Sequence, residues 1–377
     1  MILKARNIRY LFFVLAIILA MPLPFPLLSG GMIWVSPYMF LNSVLAVKSM
    51  VILNLFGLLS LVVIFLKNRW ICRYVCPLGV VCDWSSKFRN NKDIARFNLN
   101  KYLAVISLAL AIFGVPVFIV LDPFNIFHMS FEGLRTGFHF SAFFKASFIL
   151  SIVFLNIIFP NIWCRSICPL GGMQLLTFDL GNVIRKSAVS RKPIADSRRL
   201  FIASITGVVA GISLPRFSYF LSGKNIRPPA ALPEPDINLV CARCGNCSCV
   251  CPTNIIKQSD DTSKIGSLLT PLVDFSDSYC LPECTLCGDV CPSGAIARFT
   301  KKEKKDLFMA GVKIDADKCW LQDQRDCDLC RFHCEYDAIE IKKSTGSLIA
   351  LPILNESKCV GCAACKIVCP AEVITMK

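Results

Sequence analysis

Cysteine is the residue with which this sequence can do chemistry: there are 22 in 377 residues. Four runs stand toward the C-terminus: Cys241, Cys244, Cys247 and Cys251; Cys280, Cys284, Cys287 and Cys291; Cys319, Cys327, Cys330 and Cys334; Cys359, Cys362, Cys365 and Cys369. The first and fourth follow C-x2-C-x2-C-x3-C-P; the second opens with three intervening residues and the third with seven. In such a run three close thiolates wrap one iron–sulfide cubane, and the fourth reaches a neighbouring one. Pro252, Pro292 and Pro370 turn the chain out of their runs, whereas Glu335 follows Cys334. Gly245, Gly288, Gly361 and Ala363 leave room for backbone N–H groups to approach sulfide. An apolar pair follows each run: Ile255-Ile256, Ala295-Ile296, Ala338-Ile339 and Val373-Ile374. One isolated run would also suit zinc. Four in succession point to four [4Fe–4S] clusters, and disulfide staples do not take this spacing.

Two pairing schemes are open. In the first, Cys369 completes the set of Cys241, Cys244 and Cys247, and Cys251 the set of Cys359, Cys362 and Cys365. The middle runs then exchange Cys334 and Cys291. In the second scheme neighbouring runs exchange their fourth cysteines.

A different motif precedes these runs. Trp70-Ile-Cys-Arg-Tyr-Val-Cys-Pro-Leu-Gly79 is echoed by Trp163-Cys-Arg-Ser-Ile-Cys-Pro-Leu-Gly171, with the cysteines offset by 92 residues. Cys72/Cys76 and Cys164/Cys168 are i, i+4 pairs, each on one helix face. They either converge on one further cluster or each find other ligands. Cys82 and Cys249 are left over and read as bystanders. Asp122, His128, Glu132 and His139 share one loop and are candidates for the proton acceptor of a quinol site. No C-x-x-C-H run, Gly-rich phosphate loop, nucleophile triad or flavin fingerprint occurs, which excludes c-type haem and argues against a terminal substrate site in this chain.

The elements that carry these motifs are of two kinds. The chain is 54% hydrophobic. Near-continuous apolar runs at Tyr10–Leu28, Met50–Leu66, Tyr102–Leu121 and Ala146–Trp163 predict four membrane helices, the first distorted by prolines 22, 24 and 26. Most of the +15 net charge lies near the N-terminus and in Lys67–Lys101 and Asn161–Arg199, the cytoplasmic side by the positive-inside rule. No basic patch is left over for nucleic acid. The loops at Ser36-Pro37 and Asp122-Pro123 then lie outside. The apolar stretch Leu200–Pro215 follows Ser197-Arg198-Arg199-Leu200-Phe201, a twin-arginine-like sequence. It reads as an export signal or a fifth span, both carrying the C-terminus outside, or as an in-plane helix leaving it inside.

The expected organisation is a membrane domain over 1–196, the signal or fifth segment over 197–221, a Pro-rich linker over 222–240 and a four-cluster domain over 241–377. The fold class is an α-helical membrane domain of four to five transmembrane helices with an internal two-fold repeat, plus an α+β polyferredoxin domain of two bacterial-ferredoxin-like lobes.

On these motifs, residues 1–196 resemble the NapH-type membrane ferredoxin proteins, through Cys72/Cys76 and Cys164/Cys168. Residues 197–377 resemble the NapG/MauM-type four-cluster ferredoxins, through the twin-arginine sequence and the four runs. Two subunits that are usually separate are then fused. The resemblance implies a bacterial inner-membrane protein with a periplasmic ferredoxin domain. It would pass electrons from the quinol pool to a periplasmic reductase or cytochrome, in a nitrate-reductase-like system. A maturation or redox-poise factor for a periplasmic cofactor enzyme is the alternative. One difficulty follows: motifs inside and clusters outside are separated by a core of about 30 Å, so a quinone or a partner subunit is expected to bridge them.

Overall fold

The computed structural model describes residues 2–21, 28, 30–48, 53–88, 99–132, 134, 137, 140–184, 194–221, 225–323, 325–343 and 350–377. His139 and the prolines at 22, 24 and 26 lie outside the described residues.

The N-terminal half is helical: α1 (Ile2–Ala20), α2 (Pro37–Val47), α3 (Asn54–Leu66), α4 (Trp70–Tyr74), α5 (Pro77–Ser85), α6 (Leu99–Ile112), α7 (Pro123–Met129), α8 (Phe140–Ile158), α9 (Pro169–Ile184) and α10 (Ile194–Leu221). Two of the four apolar runs leave the helix earlier than their hydropathy implies. α1 stops at Ala20. The Tyr102–Leu121 run breaks after α6, where Gly114 takes φ 78° ahead of Pro116, and resumes as a 3-10 turn at Val117–Leu121. Among the described residues, two helices are long and apolar enough to cross a bilayer, Phe140–Ile158 and Arg198–Phe217 within α10. α10 runs unbroken through Pro215 and Arg216. It lies against α6 because Gly207 and Gly211 carry no side chain; a Cβ on Gly207 would meet the Cβ of Ala109 at 2.7 Å. Large apolar side chains line the outside of this half, among them Leu59, Phe143, Leu150, Phe154 and Phe201, all more than half exposed.

Proline placement explains the short helices. α2, α5, α7 and α9 each begin with proline, after Ser36, Cys76, Asp122 and Cys168. The residue before a proline is driven to extended conformation, as at Ser36 (ψ 115°), Cys76 (ψ 115°), Asp122 (ψ 125°) and Cys168 (ψ 115°). Proline at the first helical position then starts a helix without losing a needed N–H. Four sharp turns thus fold back toward one interior, where Tyr38, Cys76, Phe124, Ile126, Cys168 and Leu170 share a packed core.

The C-terminal half consists of 4Fe-4S ferredoxin lobes built from short antiparallel strands. β1 (Ile256–Gln258) pairs with β2 (Pro271–Val273), β3 (Val312–Ile314) with β6 (Ile374–Met376), and β4 (Ile339–Lys343) with β5 (Ala350–Leu354). β3 stands before the third run and β6 after the fourth, so that pairing closes one lobe on those two runs. The bridge between Ala231 and Ile296 does the same for the first and second runs.

Candidate functional site

Lobe closure decides which thiols meet. Cys251, Cys280, Cys284 and Cys287 line one cavity with about 370 Å³ of empty space. Cys334, Cys359, Cys362 and Cys365 line a second of about 320 Å³. Cys319, Cys327, Cys330 and Cys369 line a third of about 380 Å³. Cys241, Cys244 and Cys247 face Cys291. Neighbouring runs therefore exchange their fourth cysteines. The first-with-last scheme is corrected, because the β3–β6 pairing closes the fourth run on the third and sets Cys369 beside Cys319, Cys327 and Cys330. The sets follow one another in space. Cys247 neighbours Cys287, Cys280 N–H donates to Cys362 O at 3.0 Å, and Cys365 neighbours Cys330.

The residues fit cubane clusters. Each of the three cavities presents four thiols around a space, and among the described residues no three Cys, His, Asp or Glu groups converge to hold a single ion. The chain turns the same way after every fourth cysteine: Asn254, Gly294, Asp337 and Glu372, each three residues on, have φ between 48° and 75°. The turn brings N–H groups onto sulfur, from Ile296 to Cys291 Sγ at 3.4 Å and from Ala338 to Cys334 Sγ at 3.3 Å. The third run keeps this geometry with Glu335 in the place of proline. Burial, with smaller contributions from neighbouring cysteines, pushes the thiols of Cys244, Cys287 and Cys365 up to about 12. Iron binding must displace those protons.

Lys304 was not apparent from sequence, where it is one lysine in a basic stretch. It is 1% exposed. Its Nζ donates to Leu281 O at 2.5 Å and Cys284 O at 2.7 Å, which places an ammonium beside the second thiol set. Burial raises Cys280, and Lys304 opposes that rise.

In the helical half, Cys72, Cys76, Cys164 and Cys168 come together. Gln174 Nε2 donates to Cys72 Sγ at 2.9 Å. Cys82, expected to be a bystander, lies beside Cys164 and accepts from Asn156 Nδ2 at 3.6 Å. Its i+6 offset from Cys76 gave no motif by which to find it. Cys249 does not line the three cavities.

The halves meet at a polar seam. Asn125 Nδ2 donates to Ala242 O at 2.8 Å, and His128 Nε2 to Asn246 Oδ1 at 2.6 Å. Lys145 is fully buried on α8 and pairs with Glu132 and with Gln258 of β1. Gly245, at φ 80°, leaves space for Glu132, whose Oε1 a Cβ would meet at 2.5 Å. Asp122, His128 and Glu132 are thus buried at or beside this seam. Packing across the seam is direct as well: Met39 and Ile119 pack with Cys244 and Ala242. Met39 follows Tyr38, which packs in the same core as Cys76 and Cys168. The proline-led turns of α2 and α7 thus bring the core of the helical half up to the seam.

Ferredoxin lobes with cysteine-lined cavities define an iron–sulfur electron-transfer protein. Residues 50–94 and 138–187 match one family model described as a 4Fe-4S binding domain, and residues 352–375 match a second with the same description. The ferredoxin-type protein NapF of Haemophilus influenzae is 32% identical over 155 residues, covering 40% of this chain and 78% of that protein. The ferredoxin-type protein NapG of Escherichia coli is 29% identical over 198 residues, 48% of this chain and 85% of that protein. The methylamine utilization ferredoxin-type protein MauM of Methylorubrum extorquens is 29% identical over 189 residues, 46% of this chain and 85% of that protein. No solved structure matches. The chain belongs to the family of ferredoxin-type iron–sulfur proteins.

Proposed function

We propose that this chain is a membrane-bound electron conduit, fusing a NapH-type membrane half with a NapG/MauM-type ferredoxin. In this reading it takes electrons from the quinol pool and delivers them to a periplasmic reductase or cytochrome. The observation that carries it is the contact across the seam, where Tyr38 packs with the membrane cysteines and Met39 with Cys244. Cys72, Cys76, Cys164 and Cys168 would hold one cluster, and the four ferredoxin sets one each. The clusters, when bound, supply one-electron carriers. The chain's own part is to fix their order: the membrane set, then the sets containing Cys244, Cys284, Cys362 and Cys327.

Local geometry supports a two-fold repeat in the membrane half. Arg69 and Asn161, 92 residues apart, both take positive φ (51° and 60°). Gly79 and Gly171 lie equally close to Cys72 O and Cys164 O, at 3.1 and 3.2 Å from a built Cβ. Four further helices beside α10 would span or enter the bilayer, with the N-terminus in the cytoplasm. α10 would be the fifth span, since Ala210 and Leu214 near its end pack with Val115 and Leu239 close to the seam. The domains would divide as 1–196, 197–221, 222–240 and 241–377. The test is reduction of the ferredoxin clusters by quinol in membranes. The double variant Cys72→Ser/Cys164→Ser should abolish it while the C-terminal clusters stay assembled; wild-type rates in that variant would refute the conduit.

A further inference from the structure

Beyond the C-terminal end of α3 the membrane half opens into a solvent-facing cavity of about 500 Å³. Arg9, Arg69, Arg73 and Arg165 line it, against one carboxylate, Asp83. Asp83 is engaged by Arg9 at 2.5 Å. Four guanidiniums less one carboxylate leave a charge of +3. The Nε atoms of Arg9 and Arg69 are buried without a hydrogen-bond partner. A buried donor left unmade costs about 1–3 kcal/mol, so the cavity has unspent donors as well as unspent charge. Asn68 and Asn161 add amides to the lining. Arginines that merely obeyed the positive-inside rule would be spread along the loops toward headgroups and water. Here they come from three separate segments and line one concavity.

We propose that this cavity binds a phosphate-class anion, supplied either as free phosphate or as the headgroup of an anionic lipid. Guanidinium forks match phosphate oxygens two at a time, which a carboxylate-poor, amide-lined cavity then reserves for an oxyanion. Cys72 and Cys164 also line the cavity, so the anion would sit beside the membrane thiol set. The binding itself does not depend on a cluster being held there, and it is measured without reference to one.

The full-length protein is placed in phosphatidylcholine nanodiscs and dialysed to equilibrium against radiolabelled inorganic phosphate. In parallel, native mass spectrometry counts phosphatidylglycerol retained after exchange from mixed nanodiscs. Saturable binding of one phosphate, weakened at least tenfold in Arg69→Gln/Arg165→Gln, supports the proposal with free phosphate as the ligand. Absence of phosphate binding together with one retained phosphatidylglycerol, lost in the same variant, supports it with a lipid headgroup as the ligand. Neither anion bound by the wild type overturns it, because the thiol set would then already answer the arginines' charge. Binding undiminished in the variant overturns it too, since the anion would sit elsewhere. The wild-type measurements stand whether or not the variant folds. Iron content and ferredoxin-domain EPR of both proteins report separately on the conduit reading.

Discussion

Removing the Lys304 ammonium should make the cluster held by Cys251, Cys280, Cys284 and Cys287 harder to reduce. The positive charge sits within hydrogen-bond reach of Cys284 O and is shielded from water. Reduction adds one negative charge to the neighbouring set, so the ammonium stabilises the reduced form more than the oxidised one. With roughly 7 Å between the charges and an effective dielectric of about 20, Coulomb's law gives ~2.4 kcal/mol. For a one-electron couple this is a fall of about 100 mV in midpoint potential. EPR-monitored redox titration of Lys304→Met measures it, with Lys304→Arg as the charge-keeping control. One midpoint should fall in the first variant and stay near wild type in the second. If all midpoints in Lys304→Met match the wild type at full iron content, the assignment of this lysine to that set is wrong.

The seam and the thiols give further expectations. Lys145→Met should destabilise docking of the ferredoxin domain by about 3–5 kcal/mol, because the buried Glu132 carboxylate loses its ammonium, whereas Glu132→Gln/Lys145→Met should cost less. Limited proteolysis within 222–240 followed by gel filtration reads this as release of the C-terminal half from the single variant but not from the wild type. The iron-stripped ferredoxin domain should lose stability as pH rises above about 8.5. Its buried thiols titrate near 12 when folded but near the ordinary thiol value when unfolded, so the folded form holds more protons in that window. Thermal unfolding at pH 7 and pH 10 checks the sign; a transition that is higher at pH 10 contradicts it.

The cysteine runs announced the cluster chemistry, because ligand spacing is a local property that survives any arrangement of the rest. Their partnership was not legible. It depends on which strand closes each lobe, and three-residue strands such as β1 and β6 carry too little pattern to be paired from sequence. Pro37, Pro77, Pro123 and Pro169 were visible as residues, but hydropathy averages across them. Each proline turns the chain back toward the centre, which averaged hydropathy does not show. Lys145 and Lys304 escaped for a related reason: a lysine's burial is set by distant partners, Glu132 and Gln258 for one, the carbonyls of residues 281 and 284 for the other. Cys334 is the opposite case. The missing proline looked like a defect, and the backbone shows the same turn at Asp337 as at its three counterparts.

The seam between the halves is made within one polypeptide, whose α10 and following residues tether the docked domain. On the proposed conduit reading, encounter between the two halves is consequently unimolecular. Its kinetics should be independent of how dilute the protein is, and a soluble competitor ferredoxin must overcome a local concentration in the millimolar range to displace the native one.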